Sequence, residues 1–302
     1  MQPRRKTVIG HVMITRRHFA TRLLGACTLL AVFAGVCVAQ STDKTAAKPS
    51  TPAQCDRSAF RVILDVGHTL NVPGAMSARG VPEYAFNLQL AQDADKALTD
   101  AGFDKTVLMI TDKPPPHSLV ERAERANAMH ADLFLAIHHD SVPDNLLRTW
   151  DYQGQQNSYN DDYPGYALFV SYDNGDRAGS LQFGHLLGKA LQVNGLQYTP
   201  HYTQANMGHY RRQLLDSDAG VYRFDQLIVL RMTHMPAVLL EAGSIINRPE
   251  ELELGTPERR AKTSAAIVSA VEDFCSAHAH PKPAQVAKQP EKPHAAAGIA
   301  GH

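Results

Sequence analysis

Four side chains in this sequence have the types and settings to bind a metal and move a proton: His68, Glu83, His138 and Glu241. Two imidazoles and one carboxylate make a catalytic zinc set, because three protein donors leave a fourth position open. A remaining carboxylate beside them can act as general base toward water. Glu83 follows His68 by 15 residues, and His138 follows Glu83 by 55. Those spacings are too wide for a local motif such as HExxH, so the donors must arrive on different elements. A lone strand-end histidine is usually a hydrogen-bonded structural residue. The case for chemistry therefore rests on the elements that position all four.

Val62-Ile63-Leu64 is an apolar run too short for a helix, and it reads as a buried parallel strand. It ends at Asp65-Val66-Gly67-His68, which puts His68 in the loop leaving the strand. A second run, 131–137, ends at His138, and a third, 236–240, ends at Glu241. In open α/β sheets ligand sites form at such carboxyl ends. Glu83 opens an amphipathic pattern through Leu98, so it stands at a helix start facing back toward that edge.

His139 competes with His138 as a donor. Strand residues alternate faces, so only one of the two can point at a given site. Asp140 reads as a group that orients a ligand imidazole, or as an ordinary strand-end Asp. Asn87, one turn after Glu83, is placed to support the Glu83 carboxylate or the loop. Arg122 and Asn127 are assigned to structure. The competing reading of Glu241 is a buried ion pair with Arg231.

The pattern predicts strands at 61–65, 105–110, 132–138, 167–172, 227–231 and 236–241. It predicts helices at 83–101, 118–130, 177–194 and 257–276. This order implies an α/β single domain, a mostly parallel twisted sheet flanked by helices on both faces. Gly102 sits at an expected helix end, and Pro114-Pro115-Pro116 breaks the chain before the second helix.

Taken in order, ILDVGH, Glu83 with Asn87, Glu121-Arg122 through Ala126-Asn127, ADLFLAIHHDS and MPAVLLEAGSIIN resemble the zinc-dependent N-acetylmuramoyl-L-alanine amidases of the third type, which cleave peptidoglycan. The resemblance runs from about Arg61 to about Cys275. It implies metal ligands at His68, Glu83 and His138, a catalytic carboxylate at Glu241, and Zn²⁺ as cofactor. It also favours His138 over His139. It implies hydrolysis of the amide between N-acetylmuramic acid and L-alanine, in cell-wall remodelling or daughter-cell separation. The alternatives are another zinc peptidase acting on wall peptides, or an inactive wall-binding module of the same fold. Members of the family can carry a segment that blocks the zinc site until a partner moves it, so an activator protein is a candidate partner beside peptidoglycan.

Charge distribution points to export. Residues 1–39 hold six basic residues and no acid, whereas residues 56–278 hold 19 basic and 28 acidic, a net of −9. Such an acidic core excludes a general nucleic-acid binder. The basic start leads into an apolar stretch and then Ala39, the pattern of a cleaved signal peptide. Thr15-Arg16-Arg17-His18-Phe19 resembles a twin-arginine signal. The expected organisation is a signal peptide at 1–39, a linker at 40–55, a catalytic domain at 56–278 and a disordered tail at 279–302. The expected location is the periplasm or outside the cell, with no stable membrane span after cleavage. Cys55 and Cys275 flank the domain and are a candidate disulfide in an exported protein.

Two long polar segments, Val142–Pro164 and Gln197–Asp225, interrupt the strand–helix alternation and are extended relative to the family pattern. Their interleaved aromatics and amides suit a sugar–peptide polymer or form small surface clusters of their own. Either segment is a candidate blocking element, with His201 or His209 able to take the open metal position.

Overall fold

A computed structural model describes residues 55–278. The expected signal segment, the linker up to residue 54 and the tail lie outside the described residues.

Apolar runs become the sheet. In chain order the elements are β1 Val62–Val66, α1 Glu83–Asp100, β2 Val107–Met109, α2 His117–Ala128, β3 Leu133–Asp140, β4 Arg148–Tyr152, β5 Gln155–Tyr159, β6 Ala167–Val170, α3 Arg177–Val193, β7 Gln213–Asp216, β8 Val221–Arg223, α4 Ile228–Arg231, β9 Ala237–Ser244, α5 Arg248–Leu254 and α6 Pro257–Ala277. Seven strands pair in the order β2-β1-β3-β9-β6-β8-β7. β2, β1, β3 and β9 run parallel, β6 is antiparallel to β9, and the edge strand β7 is antiparallel to β8.

Alternation along the central strands sorts side chains to two faces. Leu64, Leu135, Ile137 and Leu240 pack with Leu90, Leu187, Ile267 and Phe274, which come from α1, α3 and α6. Ile63, Phe134, Ala136 and Leu239 pack on the other side with Ala126, Val229, Leu230 and Tyr202. Burial on both faces explains why these strands read as continuous apolar runs rather than alternating ones. A Cys55–Cys275 disulfide ties the chain entering β1 to the end of α6.

Residues 227–231 form a helix, not the expected strand. β9, the strand that follows it, is already paired on both edges, by β3 and β6, so the run cannot pair with its successor. It winds instead into α4, with Arg231 N–H donating to Leu227 O at 3.0 Å, and packs near α2. Nor are the two long segments structureless. Residues 148–159 make a two-stranded hairpin whose turn residues Gln153 and Gly154 both have positive φ, the type I′ requirement. The second segment supplies β7 and β8 after short 3-10 turns at His201–Thr203 and Ala205–Tyr210.

Candidate active site

β1 delivers His68 through a turn that only glycine permits. A Cβ on Gly67 would lie 2.5 Å from the His138 ring. His68 itself takes a positive φ of 65°. That turn is held from below by Arg122, which is 2 % exposed. Its guanidinium contacts both Asp65 carboxylate oxygens at 3.1 Å and donates to the carbonyls of Val66 and His68. Burial pushes the Asp65 pKa up, while Arg122 pulls against it. Arg122 is thus structural, as its sequence setting implied, and fixes the backbone that presents His68.

Glu83 is the first residue of α1 and lies 4 % exposed. A carboxylate is favoured there by the helix dipole. Its two oxygens face two imidazoles: Oε2 is 2.9 Å from His68 Nε2, and Oε1 is 3.0 Å from His138 Nδ1. The rings lie edge to face with centroids 5.0 Å apart. Burial is the largest single influence on Glu83 and raises its pKa, but the two histidines together outweigh it and hold the carboxyl well below its usual range. Gly74, at φ 82°, lets the intervening loop close over this group. A Cβ there would meet Glu83 Oε2 at 2.4 Å.

His139 turns to the opposite side of β3, toward α1, as strand alternation requires. Its Nδ1 meets Asn87 Oδ1 at 2.8 Å, and its ring lies beside Phe86. Burial lowers its pKa to about 3. Asn87 serves both roles open to it, donating to Glu83 Oε1 at 3.1 Å and to Gly67 O at 3.2 Å. Asn127 bonds Met232 O and His234 N–H, a structural use.

Glu241 sits opposite His138 in the β3–β9 register. Its Oε2 is buried with no hydrogen-bond partner among the described residues. Burial first, then the charges of Asp140 and Glu83, push its pKa well above the ordinary carboxylate value. Arg231 is exposed at the end of α4 and makes no ion pair with Glu241 among the described residues. Asp140 does not orient a metal-facing imidazole. It accepts a 2.7 Å hydrogen bond from the Tyr202 hydroxyl, and burial raises its pKa to about 7. The register shift between His138 and Asp140 accounts for this, since it breaks the simple alternation. Tyr202 escapes sequence reading because its segment carries no periodicity that would place it beside β3.

Among the described residues, one group of potential ligands converges: His68, Glu83 and His138, with donor atoms all within 4.8 Å of one another. Neither His201 nor His209 belongs to it. Two imidazole nitrogens and a carboxylate match the donor preferences of a catalytic zinc site. The observation that tests the fit is Glu83 itself, a buried carboxylate held charged by two groups that can equally face a cation. A cavity of about 130 Å³ opens directly on His68 and His138, walled by Val72, Leu119 and Val229.

Strand ends and a facing helix start that present two histidines and two glutamates form an arrangement that an α/β metal-dependent hydrolase can use. The profile of the Amidase_3 family, described as N-acetylmuramoyl-L-alanine amidase, matches residues 62–273, and the chain belongs to that family. It acts on peptidoglycan as an N-acetylmuramoyl-L-alanine amidase, and the family is metal-dependent. The N-acetylmuramoyl-L-alanine amidase Rv3717 of Mycobacterium tuberculosis is 23% identical over 265 residues, covering 80% of this chain and 95% of that protein. The amidase Ami1 of Mycobacterium smegmatis has the same fold at a TM-score of 0.57 and 19% identity, over 75% of this chain and 100% of its own. The CwlD amidase of Clostridioides difficile, solved in complex with the GerS lipoprotein, matches at 0.50 and 18% identity, over 72% and 99%.

Proposed function

We propose that His68, Glu83 and His138 hold one zinc ion and that Glu241 is the general base for cleavage of the muramoyl–L-alanine amide. The observation that carries this is the Glu83 carboxylate set between two imidazoles at 2.9 and 3.0 Å, with Glu241 across the ladder from one of them. Zinc held by these residues supplies Lewis acidity toward the scissile carbonyl and toward water. Glu241 Oε2, which has no hydrogen-bond partner among the described residues, takes the proton of the attacking water. The same oxygen then returns that proton to the nitrogen of the departing L-alanine. Burial favours the protonated form needed for the second step, and a nearby cation favours the ionised form needed for the first. Asn87 keeps the Glu83 carboxylate oriented, and Arg122 keeps His68 presented.

In this reading the mature protein is exported, by signal cleavage after Ala39, and works on the wall in the periplasm during remodelling or daughter-cell separation. The basic, acid-free start at 1–39 supports it. A protein activator remains part of the proposal, since one fold neighbour is solved with a lipoprotein partner.

The test is digestion of purified peptidoglycan by the zinc-loaded protein, with products identified by mass spectrometry. Release of intact stem peptides beginning with L-alanine is expected. Products cut only within the peptide would favour the zinc peptidase, and binding without cleavage by the loaded protein would favour the wall-binding module.

A further inference from the structure

Two cavities share His209 in their walls. The first, about 550 Å³, is lined by Asp140, Ser141, Tyr202 and His209. The second, about 450 Å³, is lined by His209, Arg211, Arg212 and Arg223. Three arginines at one end of a groove stand out in a domain whose net charge is −9.

Their charge is only partly neutralised. Arg223 is committed to Asp225, at 2.6 and 2.7 Å, and lies over the Tyr172 ring. Arg212 stacks on Phe224 at 3.7 Å and donates to the carbonyls of His209 and Arg211, with no carboxylate partner among the described residues. Arg211 is exposed and makes no side-chain hydrogen bond or ion pair among the described residues. The Arg211 guanidinium therefore remains available to an anion, and Arg212 beside it carries a charge that no carboxylate offsets among the described residues. Arg212 is pinned over an aromatic face, and both flank the start of β7. Planar guanidinium forks match carboxylates in a bidentate way that neutral sugars cannot satisfy.

We propose that this end of the groove is a subsite for a carboxylate of the wall peptide stem. It would be read by Arg211 with Arg212, and the adjoining cavity is walled by Asp140, whose charge acts on Glu241. A stem peptide extends from the scissile amide on its leaving-group side and carries at least a terminal carboxylate. The inference rests on the amidase reading for its ligand but uses none of the residues assigned to metal or proton transfer.

The experiment measures binding of an isolated stem peptide, with its carboxylates free or all capped as amides, to the exported protein and to its Arg211→Ala and Arg211→Glu forms. The wild type should bind the free peptide about five- to tenfold more tightly than the capped one. That preference should shrink in Arg211→Ala and at high salt, and vanish or reverse in Arg211→Glu. Equal affinity of the wild type for both peptides, or full preference retained by Arg211→Glu, overturns the subsite. A wild type that prefers the free peptide but releases no stems from peptidoglycan would overturn the amidase reading and leave the subsite standing.

Discussion

His138 and Glu241 are direct register partners in the parallel ladder between β3 and β9. Residues paired in this way present their side chains to the same face of the sheet. The proposed ligand and the proposed base are thus aligned by backbone hydrogen bonding between two central strands, not by a loop. Sites built on rigid elements hold their geometry more closely.

Glu241→Gln separates base from ligand. The amide keeps the volume but cannot accept the water proton. We expect zinc content to be unchanged and release of stem peptides to fall by about 10²- to 10⁴-fold. Metal analysis alongside a muropeptide assay checks this, and near wild-type turnover in the variant would remove Glu241 from the mechanism.

Adjacent histidines should behave differently. His138→Ala removes a donor 3.0 Å from Glu83 and should empty the metal site with little cost to the fold. His139→Ala leaves Asn87 Oδ1 without its buried partner. It should cost roughly 1–3 kcal/mol of stability while keeping zinc. Metal stoichiometry and urea unfolding on both variants decide the matter; the reverse pattern would exchange their roles.

His138 and Glu241 are legible in the sequence because they end strongly patterned apolar runs. The runs ending at His138 and Glu241 are buried on both faces, so their apolar continuity marks them and their polar ends mark the sheet edge. The same logic failed at 227–231, because a four-residue apolar run has no period and only the occupied edges of β9 decide against a strand. α5 was missed although Asn247 and Pro249 spell a helix start: Asn247 Oδ1 caps Glu250 N–H at 3.0 Å. Tyr202 was out of reach, since a hydroxyl that crosses from a polar insertion to Asp140 leaves no local trace.

The Cys55–Cys275 bond joins residues 220 apart and fastens the chain before β1 to buried α6. Replacing both cysteines by alanine should lower unfolding free energy by roughly 2–5 kcal/mol, chiefly by freeing the unfolded chain. Urea unfolding with and without reductant checks this. Identical midpoints in the two conditions would mean that the bond contributes nothing to stability.

His201 gives the stability a pH dependence of defined sign. Its side chain is 1 % exposed, with Nδ1 2.6 Å from Thr199 Oγ1 and Nε2 3.8 Å from Asp140 Oδ2, where it makes no hydrogen bond. The rings of Tyr202 and Tyr163 enclose it at 4.1 and 5.0 Å. Burial lowers its pKa from 6.5 to about 4. Between those values the unfolded chain binds a proton at this residue and the folded protein does not. Stability contributed here is therefore complete above 6.5 and falls as pH drops toward 4. Asp140 acts in the opposite direction: raised from 3.8 to about 7, it holds a proton that the unfolded chain releases, so its contribution falls as pH rises through that range. The whole-protein profile mixes both, and a comparison with His201→Gln isolates the histidine. Glutamine keeps a polar side chain opposite Thr199 but does not titrate. Relative to that variant, the wild type should lose on the order of 1–2 kcal/mol between about pH 7.5 and about pH 5. Urea unfolding of both proteins at the two pH values measures the difference. A stability gap between them that stays constant with pH would show that His201 does not titrate on unfolding.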